Sequence, residues 1–317
     1  MDATRVRPLR RADLPGVVEL FRMLWPWDIL TADDLAWRTR HASPSEHIRR
    51  WIAIEGDRVV GYAAGGLEYM TVDRTASAWF GVLPDARRHG IGGRLYRAID
   101  DHLASLGRPP SWSGCAAGDE ESAAFLRRRG FRQNRANQVW SLDPHTADTS
   151  GLPDRLSRAE AGGFRLAPFR DLEGQPRDLY DLYLACARDA PWDEPIGFSY
   201  AAWRRNSFAR PLVDRDGSFF VLAGDRPVSQ AWLLVDREGR RAANDLTGTH
   251  PEFRRRGLAH LAKLASIRWA TEHGITVIHT DNDTTNRDML ALNDHLGYRR
   301  LLVVEDWVRD AAPTPAG

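Results

Sequence analysis

The sequence has little of what a membrane protein, a disulfide-bonded secreted protein or a nucleic-acid-binding protein needs. It contains only two cysteines, Cys115 and Cys186, whose spacing matches no metal-ligand pattern, and we expect no metal site. No run approaches the roughly 18 apolar residues of a membrane span, and charged residues interrupt the first positions, unlike a signal peptide. The 44 basic residues nearly balance the 43 acidic ones. Neither a nucleic acid nor a membrane is therefore expected as a partner, and the expected location is cytoplasmic.

What the chain does contain is an internal repeat. Residues 87–92 read Arg-Arg-His-Gly-Ile-Gly, and residues 254–259, 167 positions further on, read Arg-Arg-Arg-Gly-Leu-Ala. The same 167 positions separate Gly130 from Gly297. A register held in this way predicts two copies of one fold, and 317 residues suffice for two domains that each bury a core.

The expected domains span residues 1–143 and 163–310. Residues 144–162 contain Pro, Gly, Ser and many charged residues, which is typical of a linker, with at most one short helix. Short apolar segments at 139–142 and 301–308 are expected to be the strands that close the first and the second domain, respectively.

The segment at 254–259 joins a predicted strand to a predicted helix. Pro251 ends the strand, because proline cannot continue a hydrogen-bonded ladder, and apolar residues at helical spacing follow from Leu258. A helix N-terminus presents about four unpaired backbone N–H groups and roughly half a positive charge. Gly257 and Ala259 leave room for a ligand, and three arginines add charge. The pattern therefore predicts a binding site for a diphosphate.

The pattern Arg-x-x-Gly-x-Ala resembles the acyl-CoA signature of the GNAT acetyltransferase superfamily. Asn286, with a helix and Gly297-Tyr298 after it, resembles a second element of that family, and the segments beginning at Val6 and Phe164 resemble its opening strand and helix. The resemblance covers residues 4–142 and 163–309. It implies an α/β (α+β) fold of two tandem GNAT domains, each a mixed, mostly antiparallel sheet flanked by helices, and acetyl-CoA as the cofactor.

The same resemblance implies which residues bind coenzyme A. In the C-terminal copy they are Thr247, Thr249, Arg254, Arg255, Arg256, Gly257, Leu258, Ala259 and Asn286. In the N-terminal copy they are Val82, Arg87, Arg88, His89, Gly90, Ile91 and Gly92. Asn286 is expected either to contact the pantetheine arm or to fix the turn before its helix.

Acetyl transfer to an amine needs a base, because an alkylamine with a pKa near 10.4 leaves only about one molecule in 10³ unprotonated at pH 7. Asp245 lies on the strand that, by resemblance, runs beside the thioester, and it is the predicted base. The alternative is an aspartate at a strand edge or turn. Regular alternation would place Thr247 and Thr249 on the same face as Asp245. A backbone N–H near Thr249 is the expected oxyanion donor.

Many members of the family carry a tyrosine acid seven residues after the asparagine, where this chain has Asn293. An amide cannot supply a proton, so Asn293 is expected only to donate a hydrogen bond to the leaving thiolate, with a substitute acid such as Tyr200 as the alternative. The expected substrate residues are Trp192, Asp193, Glu194 and Asp281. The three carboxylates among them, together with Asp283, are also alternatives to Asp245 as the base.

The N-terminal copy lacks a carboxylate at the position of Asp245, where it has Ala78, so catalysis is predicted in the C-terminal copy. The predicted function is acetyl-CoA-dependent N-acetylation of a primary amine of a small molecule by a monomer or homodimer. Two alternatives remain open: a protein lysine or N-terminal acetyltransferase, and a non-catalytic acyl-CoA-binding sensor. A closed pocket favours a small molecule and an open groove a peptide, whereas a sensor binds acetyl-CoA without turnover.

Overall fold

The computed structural model describes residues 4–192 and 194–310. The chain forms two compact units. The first contains the described residues up to Asn137 and those from Leu302 onward, and the second contains Gln138–Leu301. None of the helices in this described part is long and apolar enough to cross a membrane.

The elements of the N-terminal copy follow the order predicted for one domain. They are β1 (Arg5–Pro8), α1 (Leu14–Leu24), α2 (Ala32–Arg40), β2 (Arg49–Glu55), β3 (Arg58–Leu67), β4 (Ala76–Val82), α3 (Ile91–Ala104), β5 (Trp112–Ala116), α4 (Glu120–Arg127) and β6 (Arg132–Leu142). Local capping fixes several helix starts. Thr31 accepts a hydrogen bond from the Asp34 amide at 3.2 Å at the start of α2, and Asp119 caps α4 in the same way.

The remaining elements repeat that order after one additional helix. They are α5 (Leu152–Ala161), β7 (Phe164–Pro168), α6 (Pro176–Asp189), α7 (Tyr200–Trp203), β8 (Phe219–Ala223), β9 (Arg226–Asp236), β10 (Arg241–Thr249), α8 (Leu258–Glu272), β11 (Val277–Asp283), α9 (Arg287–His295) and β12 (Arg299–Val308). Helix α7 continues as a π-helical turn over Arg204–Phe208.

Each unit contains a sheet with helices on both faces. The strand order is β1-β2-β3-β4-β5-β12 in the first unit and β6-β11-β10-β9-β8-β7 in the second. Adjacent strands are mostly antiparallel, but β4 runs parallel to β5 and β10 parallel to β11. These mixed, mostly antiparallel sheets confirm the predicted fold class.

The opposite faces of the first sheet are covered by α1 and α3. Tyr62 on β3 packs against Phe21 of α1, with ring centroids 5.2 Å apart. On the other face, a Cβ atom at Gly65 would lie 2.5 Å from Ile99 of α3. Because alternate residues of a strand point to opposite faces, β3 contacts both helices and forms the centre of the core.

The end of the last strand of each sequence copy lies in the unit built from the other copy. Residues from Leu302 onward belong to the first unit, where β12 pairs with β5 and Val304 lies opposite Ala116. The residues of β6 from Gln138 onward belong to the second unit, where β6 neighbours β11. The sequence predicts the opposite arrangement, in which residues 139–142 close the first domain and residues 301–308 the second. An antiparallel strand satisfies either sheet edge with the same backbone hydrogen bonds, so local sequence does not specify which edge it joins.

The segment predicted as a linker, residues 144–162, contains α5 and belongs to the second unit. Leu152 and Ala159 of this helix are buried in that unit's core. The helix packs against α8 and β7. It is therefore an integral element of the second unit.

Candidate active site

Strands β10 and β11 separate partway along their length. Arg241, Ala242 and Ala243 pair with β11, whereas β10 continues to pair with β9 as far as Thr249. Within the described residues, the β11-facing backbone edge of β10 has no register partner beyond Ala243. An unpaired strand edge presents N–H and C=O groups that can bind the amides of an extended ligand.

A β-bulge in β10 changes the direction of its side chains. Asn244 lies opposite Leu233 and Thr247 opposite Ala231, so β10 has one residue more than β9 over this interval. Asp245 points towards α6, with its Oδ2 atom 3.5 Å from the Tyr183 hydroxyl. The expectation that Thr247 and Thr249 share the face of Asp245 is therefore wrong, because the extra residue interrupts the alternation.

The backbone of β10 also approaches α6 closely. A Cβ atom at Gly248 would lie 2.9 Å from the Cys186 sulfur, so a larger residue there would displace the helix. Burial raises the pKa of Cys186 to about 12, which leaves its thiol protonated and unreactive at neutral pH. The Cys186–Gly248 contact therefore positions β10 beside α6, and Asp245 with it.

The environment of Asp245 favours its use as a base. Solvent reaches this residue, yet the protein packed around it removes much of its hydration, and this desolvation raises its pKa. The Arg210 guanidinium, the Leu246 amide and the Tyr183 hydroxyl act in the opposite direction and stabilise the carboxylate. A raised pKa makes the carboxylate a stronger base than an ordinary aspartate.

The two copies of the signature have the same backbone. Arg88 and Arg255 have φ angles of 67° and 59°, and Gly90 and Gly257 have φ angles of 74° and 73°. Left-handed residues at these positions turn the N–H groups at the start of α3 and α8 into a concave anion-binding arrangement. A Cβ atom at Gly257 would meet nothing within 4 Å, so the space beside it is open to a ligand.

In the N-terminal copy, acidic side chains neutralise the arginines of this loop. The Arg87 guanidinium lies 3.4 Å from Asp119 and 3.7 Å from Glu121. Arg88 lies 3.2 Å from Glu121. Both carboxylates come from the start of α4, and they would repel a phosphate at this loop.

In the C-terminal copy, the arginines are largely free to bind an anion. Arg254 forms an ion pair with Asp189. Across the described residues, neither Arg255 nor Arg256 has a carboxylate partner, and both are exposed. The identical loop backbones therefore differ in electrostatics, and only the C-terminal one presents uncompensated positive charge.

The residues along β10 fit an acyl-CoA. The Thr247 hydroxyl is buried and has no hydrogen-bond partner in the part of the chain that the structure describes, which marks it as a group that a ligand would satisfy. It lies on the strand whose edge is open and which leads to the loop at 254–259. The Thr249 hydroxyl, in contrast, is 2.8 Å from the Ser229 hydroxyl.

Four of the other predicted cofactor residues have side chains with a structural role. The side chains of Val82, Ile91 and Leu258 are buried in the cores, so they are able to contact a ligand only through their backbone. Asn286 caps α9 by accepting a hydrogen bond from the Met289 amide at 3.3 Å. It therefore fixes the turn before this helix, which is one of the two roles expected for it.

The predicted substrate residues lie in different surroundings. Trp192 is 46% exposed, and its indole N–H donates to the Ala187 carbonyl at 2.9 Å. Glu194 is half-buried and Asp281 is exposed on β11. Asp193 lies outside the described residues.

Asn293 is fully buried, and both ends of its amide are occupied. Its nitrogen donates to Asn282 and its oxygen accepts from the Lys263 ammonium, each at 2.6 Å. The amide nitrogen carries a second N–H, but the side chain is fully buried, so a leaving thiolate does not reach it. The expected catalytic role of Asn293 therefore has no support from this geometry.

Lys263, which belongs to none of the sequence motifs, is fully buried on α8, and its Nζ atom lies 4.7 Å from the centre of the Tyr298 ring. Burial lowers the pKa of Lys263 to about 7, against the opposing effect of Asp281. The composition does single out this residue, because Lys263 is the only lysine among the 44 lysine and arginine residues. Arginine stays charged when buried, whereas lysine shifts its pKa readily.

Replacing Lys263 with methionine is expected to remove a pH dependence of stability. An unfolded lysine stays protonated up to about pH 10.5, whereas Lys263 loses its proton near pH 7 in the fold. The unfolded state therefore binds more protons between these values, and the free energy of unfolding of the wild type rises with pH there. Urea denaturation at several pH values measures this slope. A Leu261→Met variant should keep it, and the same slope in Lys263→Met would contradict the assignment.

Comparison with known proteins agrees with this description. The model of the acetyltransferase (GNAT) family matches residues 14–131 and 177–298, one match in each copy. A mycothiol acetyltransferase of Catenulispora acidiphila is 25% identical over 272 residues, which cover 80% of this chain and 78% of that protein. One from Thermobispora bispora is 26% identical over 273 residues, with 83% and 84% covered.

Solved structures show the same fold. A tandem GNAT protein from the clavulanic acid biosynthesis pathway superposes with a TM-score of 0.68 at 19% identity, covering 98% of this chain and all of that one. A GCN5-related N-acetyltransferase from Sphaerobacter thermophilus gives a TM-score of 0.67 at 13% identity, with 98% and 96% covered. The recognition made from the sequence is thus confirmed: the chain belongs to the GNAT acetyltransferase family, as a tandem protein with acyltransferase activity and acetyl-CoA as its acyl donor.

Proposed function

We propose that this protein N-acetylates a primary amine of a small molecule, and that its C-terminal copy carries the reaction. The observation that supports this choice is the difference in charge between the two signature loops, whose left-handed residues have similar φ angles. Arg87 and Arg88 are neutralised by Asp119 and Glu121, whereas the loop at 254–259 keeps uncompensated charge. Asp245 is the carboxylate of raised pKa on the strand that leads to this loop.

In this proposal, the loop at 254–259 binds the diphosphate of the donor through its backbone N–H groups and through Arg255 and Arg256. The open edge of β10 and the Thr247 hydroxyl bind the polar groups of the extended arm. Acetyl-CoA, when bound, supplies an acetyl group activated as a thioester. A backbone N–H near Thr249 stabilises the negative charge that develops on the carbonyl oxygen.

Asp245 accepts the proton of the incoming ammonium and thereby generates the nucleophilic amine. The Tyr183 hydroxyl and the Arg210 charge keep the carboxylate ionised and oriented, while desolvation keeps it basic. No protein acid is required for the leaving group. A thiol of pKa near 8.5 leaves as its thiolate at pH 7 at a cost of about 2 kcal/mol.

The surroundings of Asp245 support a small, partly apolar acceptor. Aromatic rings of α6, of α7 and of the segment between them pack together on its side of the sheet, namely Tyr180, Tyr183, Phe198, Tyr200 and Trp203. Three of these rings are buried, whereas Tyr180 and Tyr200 are half-buried and are able to contact the carbon skeleton of an acceptor and attract its ammonium group. The relatives compared above bear the name mycothiol acetyltransferase, which does not name a protein as the acceptor.

A panel of acceptors with detection of the released thiol tests the function. Small primary amines are expected to be turned over at least about tenfold faster, in kcat/KM, than peptides with an N-terminal amine or a lysine. The opposite preference would favour the protein acetyltransferase. Acetyl-CoA binding without thiol release from any acceptor would favour the sensor instead.

A further inference from the structure

A cationic cavity lies beside the loop at 254–259 in the second unit. It has a volume of about 260 Å³ and is bordered by α5, the start of β7 and the start of α8. Arg155 and Arg158 of α5 line it together with Arg256 and Gly257 of the loop. Phe164, which also lines it, is buried. The cavity is thus partly apolar and has guanidinium groups from two separate elements.

The charge of this cavity is not compensated within the described part of the chain. None of Arg155, Arg158 and Arg256 has a carboxylate partner there, although Asp154 and Glu160 lie on the same helix as the first two. The arginines of α5 also repel their neighbours. Desolvation and the charge of Arg158 lower the pKa of Arg155. Like charges that converge on a cavity without a counter-charge are stabilised by an anion.

The chemistry of the donor supplies such an anion. Acetyl-CoA carries a ribose 3′-phosphate in addition to its diphosphate, and a phosphate monoester has a charge of about −1.5 to −2 at neutral pH. Guanidinium groups bind phosphate oxygens in a fixed, often bidentate geometry. Arg256 borders the cavity and also belongs to the loop at 254–259. One acetyl-CoA molecule is therefore able to place its diphosphate at the loop and its 3′-phosphate in the cavity.

We propose that Arg155 and Arg158 bind the ribose 3′-phosphate of acetyl-CoA. Helix α5, which precedes the second copy of the repeat, thereby makes the C-terminal site selective for the 3′-phosphorylated donor over its 3′-dephospho form. This inference rests on the proposed binding of acetyl-CoA by the C-terminal copy. It adds a specificity determinant that lies outside the Arg-x-x-Gly-x-Ala pattern.

Calorimetric titration with acetyl-CoA and with 3′-dephospho-acetyl-CoA tests the inference on the full-length chain. The wild type is expected to bind acetyl-CoA about 10-fold more tightly than the dephospho form. The Arg155→Ala/Arg158→Ala double variant is expected to lose this preference and to bind the dephospho form as the wild type does. Neither arginine has an ion-pair partner among residues 4–192 and 194–310, so the variant should keep the wild-type melting temperature.

Arg268→Ala is a control for the loss of a positive charge away from the cavity, because Arg268 lies about 15 Å along α8 from Leu258 and pairs with Glu272. It should keep the full preference. An equal loss of affinity for both ligands in the double variant would overturn the inference, since it would indicate a general charge effect or contact with the diphosphate. An unchanged preference would overturn it as well. If the wild type bound neither ligand, the proposed function itself would fail, whereas binding without preference would remove only the role of α5.

Discussion

Gly257→Glu is expected to abolish acetyl-CoA binding and turnover, whereas Gly90→Glu should leave both nearly unchanged. A glutamate at 257 places a carboxylate in the open space beside the free arginines, where the donor's diphosphate is proposed to bind. The expected loss of affinity is about 100-fold or more, which corresponds to about 2.7 kcal/mol. At the N-terminal loop, Asp119 and Glu121 already pair with the arginines, so one more acidic residue should change acetyl-CoA binding little. Calorimetry and thiol release measure the two effects.

The two glycine variants control for each other. In the wild type Gly90 has a φ angle of 74° and Gly257 one of 73°, and a Cβ atom at either position would meet nothing within 4 Å. The cost of a left-handed non-glycine residue, about 1–2 kcal/mol, is therefore the same in both. Equal melting temperatures with unequal activity would isolate the ligand effect. If Gly90→Glu removed activity and Gly257→Glu did not, the N-terminal copy would be the catalytic one.

Asp245→Asn is expected to lower kcat/KM for an amine by about 10²–10⁴-fold, because the amide cannot accept the proton of the ammonium. The variant should also lose the acid limb of the pH–rate profile. In the wild type that limb reflects ionisation of Asp245, and its midpoint lies above the ordinary aspartate pKa because desolvation raises it. Steady-state kinetics across pH measure both effects.

The stability of the Asp245→Asn variant separates a catalytic role from a structural one. The folded state binds the Asp245 proton more readily than the unfolded state does, so wild-type stability falls as pH rises through the raised pKa. The neutral variant avoids this loss and should be at least as stable as the wild type at pH 7. Lower stability together with lower activity would indicate a structural aspartate.

Glu68 provides the matched control for Asp245. It follows β3 in the first unit, and burial raises its pKa as well. Glu68→Gln is therefore expected to retain the activity of the wild type. If this variant lost activity while Asp245→Asn kept it, the base would lie in the first unit, at the end of β3.

Much of the local structure was predictable because it depends on neighbouring residues. The 167-position offset between the copies predicted two loops of equal form, and their φ angles agree to within 8° at both left-handed positions. Helix starts followed from residues such as Thr31, which caps α2. The family and its acyl donor followed from the resemblance of the loop at 254–259 to the family's signature, and the family model matches one region in each copy.

The chemistry of the candidate site was less predictable because it depends on residues that meet only in the fold. The bulge after Asn244 turns Asp245 towards Tyr183, 62 positions earlier, and no period-two pattern reveals an inserted residue. Asn293 was assigned a hydrogen bond to the thiolate, yet Lys263 and Asn282 occupy its amide. Alignment with the family assigns a position but not its partners.

By itself, the sequence determined that the chain carries one fold twice, with an anion-binding turn of the same backbone in each copy. Backbone dihedral preferences and apolar periodicity act over a few residues, so they can be read from order alone. Only the tertiary structure decided which turn keeps its charge, which strand completes which sheet, and that α5 brings Arg155 and Arg158 to the second turn. These outcomes depend on long-range ion pairs and strand pairing, whose partners are many positions apart in the chain.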